Sequence, residues 1–129
     1  MKTNRFEQTL EKYFTALDSG DLRAILEVFA DDARVHSPFL GELSAREFFP
    51  KVFAASSASD ITVFDVLGSM RGEPRAIGYF RYDWTLADGT KVHFDAADVF
   101  DFNTKGEIVR MTILYDTHPL RETVGDKYA

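Results

Sequence analysis

Two hydrophobic periodicities divide the chain into an N-terminal helical part and a C-terminal part made of strands. From Asn4 to Ser19, apolar side chains recur every three or four positions, which predicts an amphipathic helix that ends at Gly20. A second helix is predicted to start at Asp21, its N-cap, with an apolar face that extends to Phe29. The pair Asp31–Asp32 then indicates a turn that ends this helix, rather than a pair of catalytic carboxylates.

A third helix is predicted near Ser44, which forms a capping box with Glu47. Pro50 removes one backbone hydrogen bond if the helix is already under way. The helix is therefore expected either to be kinked at Pro50 or to begin later, with Pro50 in its first turn.

From Ile61 onward, apolar and polar positions alternate, which predicts strands separated by turns rich in Gly, Pro, Asn and Asp. The predicted strands are Ala33–Ser37, Ile61–Met70, Arg75–Leu86, Lys91–Phe102 and Glu107–Tyr115. Helices followed by an antiparallel meander predict one α+β domain over residues 1–129. We expect a cone in which three N-terminal helices pack on a curved, mostly antiparallel sheet and enclose an apolar pocket.

Asp98 is the polar exception on the apolar face of its strand. The other even positions from Val92 to Phe102 are apolar, whereas the odd positions carry most of the charges. A carboxyl group among aromatic side chains loses hydration when it ionises, so we expect burial to raise its pKa. The alternative is an ordinary core acid that a backbone group or a tyrosine hydroxyl satisfies, with no ligand involved.

Turn geometry predicts the neighbours of Asp98 in the sheet. A three-residue loop over Ala87–Gly89, with its glycine in the left-handed conformation, places Gly78 beside Asp98. The predicted register of the last strand places Met111 on the other side. We therefore expect open space over Gly78, next to the buried acid.

Composition limits the possible functions. Simple core packing is the default interpretation of the twelve phenylalanines, although a small domain rich in them often lines a cavity as well. A net charge of −6 argues against binding to nucleic acid. The absence of cysteine excludes disulfides, thiolate metal ligands and a cysteine nucleophile. The histidines, His36, His93 and His118, lack the spacing of metal ligands, which argues against a metal site. No apolar run suits a signal peptide or a membrane span, so we expect a cytoplasmic protein without membrane partners.

Three segments carry a resemblance to a known family. Lys12–Leu22, Phe29–Ala33 and Val35–Pro38 resemble the SnoaL-like and ketosteroid isomerase-like branches of the nuclear transport factor 2-like superfamily. The resemblance extends over nearly the whole chain and implies the cone-shaped fold. The superfamily includes isomerases, cyclases, dehydratases, ligand binders and non-catalytic assembly domains, so the fold by itself assigns no function.

The resemblance also implies roles for individual residues. Tyr13 falls where ketosteroid isomerases have the tyrosine of their oxyanion hole, and Asp98 falls where they have its protonated aspartic partner. Their general base is replaced by Ser37, whose hydroxyl is a poor proton acceptor near neutral pH. His36 and Asp116 are the substitute bases that the sequence offers, although strand alternation directs His36 away if Ser37 points inward.

The leading hypothesis is a cofactor-independent enzyme that binds a small apolar carbonyl compound and transfers a proton through an enolate, in an isomerisation, cyclisation or dehydration. The alternative is a non-catalytic ligand-binding or dimerisation module on the same fold. The outer sheet face carries Ile77, Tyr79 and Val99 among charges, which predicts a homodimer. The side chains expected to line the pocket are Phe14, Phe53, Phe80, Tyr82, Trp84, Phe100, Met111 and Tyr115.

Overall fold

The computed structural model describes residues 5–118, which form three helices and one six-stranded sheet. The helices are α1 (Arg5–Ser19), α2 (Leu22–Glu27) and α3 (Ala45–Ala54). The strands are β1 (Phe29–Ser37), β2 (Gly41–Ser44), β3 (Ser56–Gly68), β4 (Arg75–Leu86), β5 (Lys91–Phe102) and β6 (Ile108–Thr112). Their order is β2-β1-β6-β5-β4-β3, with β1 and β6 parallel and the other pairs antiparallel. The predicted α+β class is confirmed.

Local capping chemistry sets where the second and third helices begin. The Asp21 side chain accepts a hydrogen bond from the backbone N–H of Ala24 at 3.0 Å. The Ser44 hydroxyl accepts from the backbone N–H of Glu47 at 3.2 Å, so α3 begins directly after Ser44. Pro50 lies inside α3, and the alternative of a later start was wrong. Within residues 5–118, no helix has the length and apolar character needed to cross a membrane.

The second helix is shorter than predicted. It ends at Glu27, whereas Phe29 and the Asp31–Asp32 pair belong to β1. The pairing of β1 with β6 is irregular between Phe29 and Arg34, and both aspartates are exposed in this stretch. The interpretation of the pair as a turn was therefore wrong, because the pairs on either side, Phe29 with Ile108 and Arg34 with Arg110, keep the segment within the strand despite its local turn propensity.

Other differences concern strands whose sequence pattern is weak. β3 begins at Ser56, five residues before the predicted start, because its polar first residues pair with the end of β4. The short strand β2 was not predicted, and it pairs with β1 at the sheet edge. β6 is shorter than predicted and ends at Thr112.

The hairpin of β4 and β5 has the predicted bounds and register. Gly78 pairs with Asp98. The loop between the strands closes where the backbone N–H of Leu86 donates to the carbonyl of Thr90 at 2.7 Å, and Gly89 has a φ of +90°. The other predicted neighbours, which are also present, are Tyr82–Phe94 and Trp84–Val92.

The register of β5 and β6 differs from the prediction. Phe102 pairs with Ile108 instead of Glu107, because the side chain of Asn103 accepts from two backbone N–H groups of the turn, including that of Glu107. An irregularity after this pair adds one more residue to the shift.

A shift of two residues keeps the same side chains on the inner face, since the side-chain period of a strand is two. Met111 is therefore buried, as predicted, but it lies opposite Phe100 rather than Asp98. Tyr115 forms a bridge with Ala96 rather than with the predicted Phe94.

The core lies between the helices and the inner face of the sheet. Its largest fully buried side chains include Tyr13 from α1, Phe49 from α3, Phe80 from β4 and Phe100 from β5. The ring of Tyr13 meets that of Phe100 edge to face, with 5.1 Å between centroids. This contact fixes α1 over the strand that carries Asp98.

Candidate functional site

A cavity of ≈ 70 Å³ lies between α1, α3 and the inner face of the sheet. This is several times the roughly 10–15 Å³ that one water molecule requires. Most of its lining side chains are aromatic or aliphatic, and a few polar groups interrupt them. Such a combination is typical of sites for small organic molecules.

About half of the residues proposed from sequence line this cavity. Those that do are Tyr13, Ser37, Phe80, Tyr82, Trp84, Asp98 and Tyr115. The lining residues that sequence reasoning missed are Leu17, Phe39, Phe48, Phe49, Val52, Phe94, Ala96 and Ile113. Three of the missed residues occupy the apolar face of α3, and their spacing in the predicted third helix is the signal that could have identified them.

The two substitute bases lie outside the cavity lining. His36 is exposed, because strand alternation directs it to the face opposite Ser37, as expected. Asp116 is also exposed, and its Oδ1 accepts a hydrogen bond from the backbone N–H of His118 at 3.0 Å. Neither side chain is placed to take a proton from a molecule in the cavity.

Three of the expected lining residues pack in the core instead. Phe100 and Met111 are fully buried and do not contribute to the cavity wall. Phe14 is buried against Phe80, with 4.9 Å between ring centroids. A fourth, Phe53, is half-buried and lies 6.4 Å from Phe49 between ring centroids, outside the lining.

The expected open space over Gly78 is filled. A Cβ atom at Gly78 would lie 2.5 Å from Cζ and 2.7 Å from Cε2 of the Phe14 ring. The glycine therefore accommodates α1 against β4 rather than a ligand beside Asp98. The prediction of a gap at this position was wrong, because a sheet register alone does not show which helix side chain covers it.

Asp98 lies on β5 with only 3% of its surface exposed. Within residues 5–118, its Oδ1 is the one buried side-chain nitrogen or oxygen atom without a hydrogen-bond partner. Burial raises the pKa of this carboxyl group to about 8, and a backbone hydrogen bond from Leu114 acts in the opposite direction. At neutral pH the carboxyl group is therefore mostly protonated and able to donate a hydrogen bond.

Tyr13 projects from α1 into the same cavity. Burial raises the pKa of its hydroxyl well above the ordinary value, and the nearby charge of Asp98 and then Tyr82 raises it further. The phenol therefore stays protonated, so Tyr13 and Asp98 both present donors in an apolar environment at neutral pH.

Ser37 ends β1 and is 7% exposed. Its Oγ accepts hydrogen bonds from the backbone N–H groups of Phe39 and Leu40, each at 3.3 Å. These bonds fix the hydroxyl group at the cavity wall and hold the turn that leads to β2.

Aromatic rings that are partly exposed form one side of the cavity. Phe94 stacks on Tyr115 with 4.3 Å between centroids, and Phe39 lies 6.3 Å from Tyr115. Trp84 Nε1 donates to Ser56 Oγ at 2.6 Å, and Ser56 Oγ donates to the carbonyl of Val52 at 2.6 Å, so Ser56 connects β4 to the end of α3.

A metal centre finds no support in the part of the chain that the structure describes. No group of three or more His, Asp or Glu side chains among residues 5–118 is placed to hold a metal ion.

A family model described as a SnoaL-like domain matches residues 10–111. This range includes both Tyr13 and Asp98 and most of the chain. The chain belongs to the SnoaL-like domain family. The resemblance inferred from the N-terminal segments is thereby confirmed.

Solved structures share the fold of this SnoaL-like protein. An NTF2-like protein of unknown function from Exiguobacterium sp. 255-15 is 22% identical, with a TM-score of 0.72 over 84% of this chain and 98% of that one. TerC, co-crystallized with polyporic acid, is 16% identical, with a TM-score of 0.78 over 94% and 98%. SalBIII, an epoxide hydrolase/cyclase-like enzyme of pyran ring formation in salinomycin, is 22% identical, with a TM-score of 0.73 over 87% and 91%. At these identities the likeness shows the fold alone.

Proposed function

We propose that this SnoaL-like protein binds a small apolar carbonyl compound and stabilises its enolate with hydrogen bonds from Tyr13 and protonated Asp98. The observation that carries the proposal is the buried Asp98 Oδ1, which has no partner within residues 5–118. A donor that is already in place strengthens its hydrogen bond as negative charge develops on the substrate oxygen. The reaction would be an isomerisation, a cyclisation or a dehydration by proton transfer.

The raised pKa values support a role as donors for both groups. Because burial raises the pKa of Asp98 to about 8, the group holds its proton at neutral pH. Tyr13 is protonated over a wider pH range, since its pKa lies well above its ordinary value. When a carbonyl oxygen binds between these two groups, the C–H bond on the carbon next to the carbonyl group becomes more acidic, because both donors stabilise the enolate more than the ketone.

The identity of the proton acceptor separates this proposal from its alternative. Ser37 lines the cavity where the family base is expected, while His36 and Asp116 are exposed outside the lining. This arrangement favours a second candidate function, a ligand-binding module that holds an oxygen-bearing molecule without chemistry. Among residues 5–118, Asp98 is the one carboxyl group that lines the cavity, and in this proposal it is a donor rather than the base.

A binding experiment tests the proposed donors. We expect 4-ethylphenol, a neutral analogue of an enol, to bind the protein in isothermal titration, because its hydroxyl oxygen can accept from both groups. Tyr13→Phe and Asp98→Ala should each weaken binding roughly tenfold, the usual loss for one good hydrogen bond. Tyr79→Phe is the control, since Tyr79 is exposed on the outer face. An affinity that is unchanged in both cavity variants would refute the oxyanion-hole proposal and favour the ligand-binding module.

A kinetic experiment tests whether catalysis occurs. We expect the natural sequence to convert a β,γ-unsaturated cyclic ketone into its conjugated isomer slowly. Ser37→Asp should increase turnover by about 10²–10⁴-fold, the typical contribution of a general base. Rapid isomerisation by the natural sequence would instead show that a base is already present in the cavity. No turnover in either protein, together with normal binding of 4-ethylphenol, would support the module.

A further inference from the structure

Ser37 and Asp98 lie on the same inner face of the sheet, two strands apart. β6 lies between their strands, and its Thr112 pairs with both His36 of β1 and Val99 of β5. One residue further along this register, Ile113 lies between Ser37 and Asp98, and all three line the cavity. The backbone hydrogen bond from Ile113 N–H to the carbonyl of His36, at 2.9 Å, continues the register on the β1 side.

The hydroxyl of Ser37 is available as a donor and not as an acceptor. Its oxygen already accepts from the backbone N–H groups of Phe39 and Leu40, which engage its two lone pairs. The remaining tetrahedral direction belongs to the hydroxyl proton. Since Ser37 is 7% exposed and lines an apolar cavity, an acceptor for this proton must come from a molecule inside that cavity.

We infer that Ser37 is a specificity residue that donates a hydrogen bond to a second acceptor oxygen of the ligand. The inference rests on the proposed function, in which Tyr13 and Asp98 bind the first oxygen. The pocket would then select molecules with two oxygens and discriminate against analogues that have a methylene group at the second position.

The sheet geometry limits the distance between these two ligand oxygens. Two strand spacings of about 4.8 Å place the backbones of Ser37 and Asp98 about 10 Å apart. Two O–H···O hydrogen bonds of about 2.8 Å each leave roughly 4–5 Å between the ligand oxygens. This is slightly less than the separation of two oxygens bonded to opposite carbons of one six-membered ring, and a compact ring also suits a cavity of ≈ 70 Å³. The substrate class is therefore a single ring with oxygens at opposite ends.

A matched pair of probes tests this assignment. 4-Methoxyphenol carries an ether oxygen where 4-ethylphenol has a methylene group, and the two molecules have nearly the same shape and phenol acidity. We expect the natural protein to prefer 4-methoxyphenol in isothermal titration. Ser37→Ala should lower the ratio of the two affinities by roughly threefold, the loss of one modest neutral hydrogen bond. Comparing ratios cancels any effect of the substitution on the shape of the cavity that acts on both probes.

Ser37→Thr is the control for the turn at Phe39 and Leu40. Threonine keeps the hydroxyl group and its two bonds to the backbone, so the ratio should stay close to that of the natural protein. An unchanged ratio in Ser37→Ala, or a ratio lost equally in Ser37→Thr, would overturn the assignment.

The two proposals fail in different ways. If both probes bind with an affinity that depends on Asp98 while the ratio ignores Ser37, the specificity assignment falls and the proposed function stands. If the ratio follows Ser37 but Tyr13→Phe and Asp98→Ala have no effect, the hydrogen bond from Ser37 to a ligand oxygen stands, whereas the proposed function and the spacing derived from Asp98 fall. If neither probe binds, both fall.

Discussion

Asp98 couples the stability of the fold to pH. Its ordinary pKa is 3.8, and burial raises the pKa to about 8 in the folded protein. Below the lower value both states hold the proton, and above the higher value both have released it. Between the two values the unfolded chain releases the proton that the folded protein keeps, so the free energy of unfolding falls as pH rises.

Asp98→Asn should remove this pH dependence, because asparagine keeps the shape of a protonated carboxyl group and cannot ionise. The variant should gain stability over the natural protein by about 1.4 kcal/mol per pH unit between pH 5 and 7. Urea unfolding of both proteins at several pH values would measure the difference. Asp116→Asn is the control, because it removes one carboxyl group from an exposed position. If the difference in the free energy of unfolding between Asp98→Asn and the natural protein did not change with pH, this would contradict a buried, protonated Asp98.

Among the secondary-structure elements, α1 packs tightly against β4 at Gly78. The Phe14 ring fills the space above this glycine and is itself held between Tyr13, Phe80 and Phe100. A methyl group at position 78 would lie 2.5 Å from Phe14 Cζ, so the ring would have to move within a packed cluster. The distance between helix and strand therefore depends on the absence of a side chain.

We expect Gly78→Ala to destabilise the protein by about 1–3 kcal/mol, the usual cost of inserting a methyl group into a packed core. Chemical denaturation would measure the loss. Gly68→Ala is a matched control in the neighbouring strand β3, because a Cβ atom there meets nothing within 4 Å. Replacing the Phe14 ring with the smaller leucine side chain should make room for the methyl group. Gly78→Ala should therefore cost less stability in the Phe14→Leu background than in the natural protein. Equal effects of the two alanine substitutions would contradict this account of the packing.

At the scale of the whole molecule, the outer face of the sheet carries an apolar cluster formed by Phe64, Leu67, Ile77, Tyr79 and Val99. Phe64 and Tyr79 pack at 5.0 Å between centroids, yet they remain 48% and 42% exposed. Leu67, Ile77 and Val99 are neighbours across three strands, and Leu67 is 47% exposed. An apolar cluster on this scale is more typical of an interface than of a wet surface.

We propose that a second copy of the chain covers this cluster. Light scattering at micromolar concentration should then give twice the chain mass of 14.6 kDa. Tyr79→Asp should produce monomers, because a charge buried in an apolar interface without a partner is costly. Thr15→Asp, which adds the same charge on the exposed face of α1, should leave the dimer intact. A monomeric natural protein, or a dimer that survives Tyr79→Asp, would argue against this surface.

The hairpin of β4 and β5 and the burial of Asp98 could be predicted from the amino-acid sequence. Both follow from short-range chemistry: alternation assigns each side chain to a face, and the Ala87–Gly89 loop with its left-handed glycine sets the register. The family could also be inferred before the structure, from the resemblance of the segments Lys12–Leu22, Phe29–Ala33 and Val35–Pro38.

The surroundings of Asp98 depend on long-range packing and could not be predicted from the sequence pattern. Phe14 covers Gly78 because of the way α1 packs across the sheet, and no pattern within either segment contains that contact. The parallel pairing of β1 with β6 brings Ser37 into the row of Asp98, although the two residues lie 61 positions apart in the chain. Such pairings depend on many weak contacts made at once between distant segments, so the fold as a whole selects them and the local sequence does not.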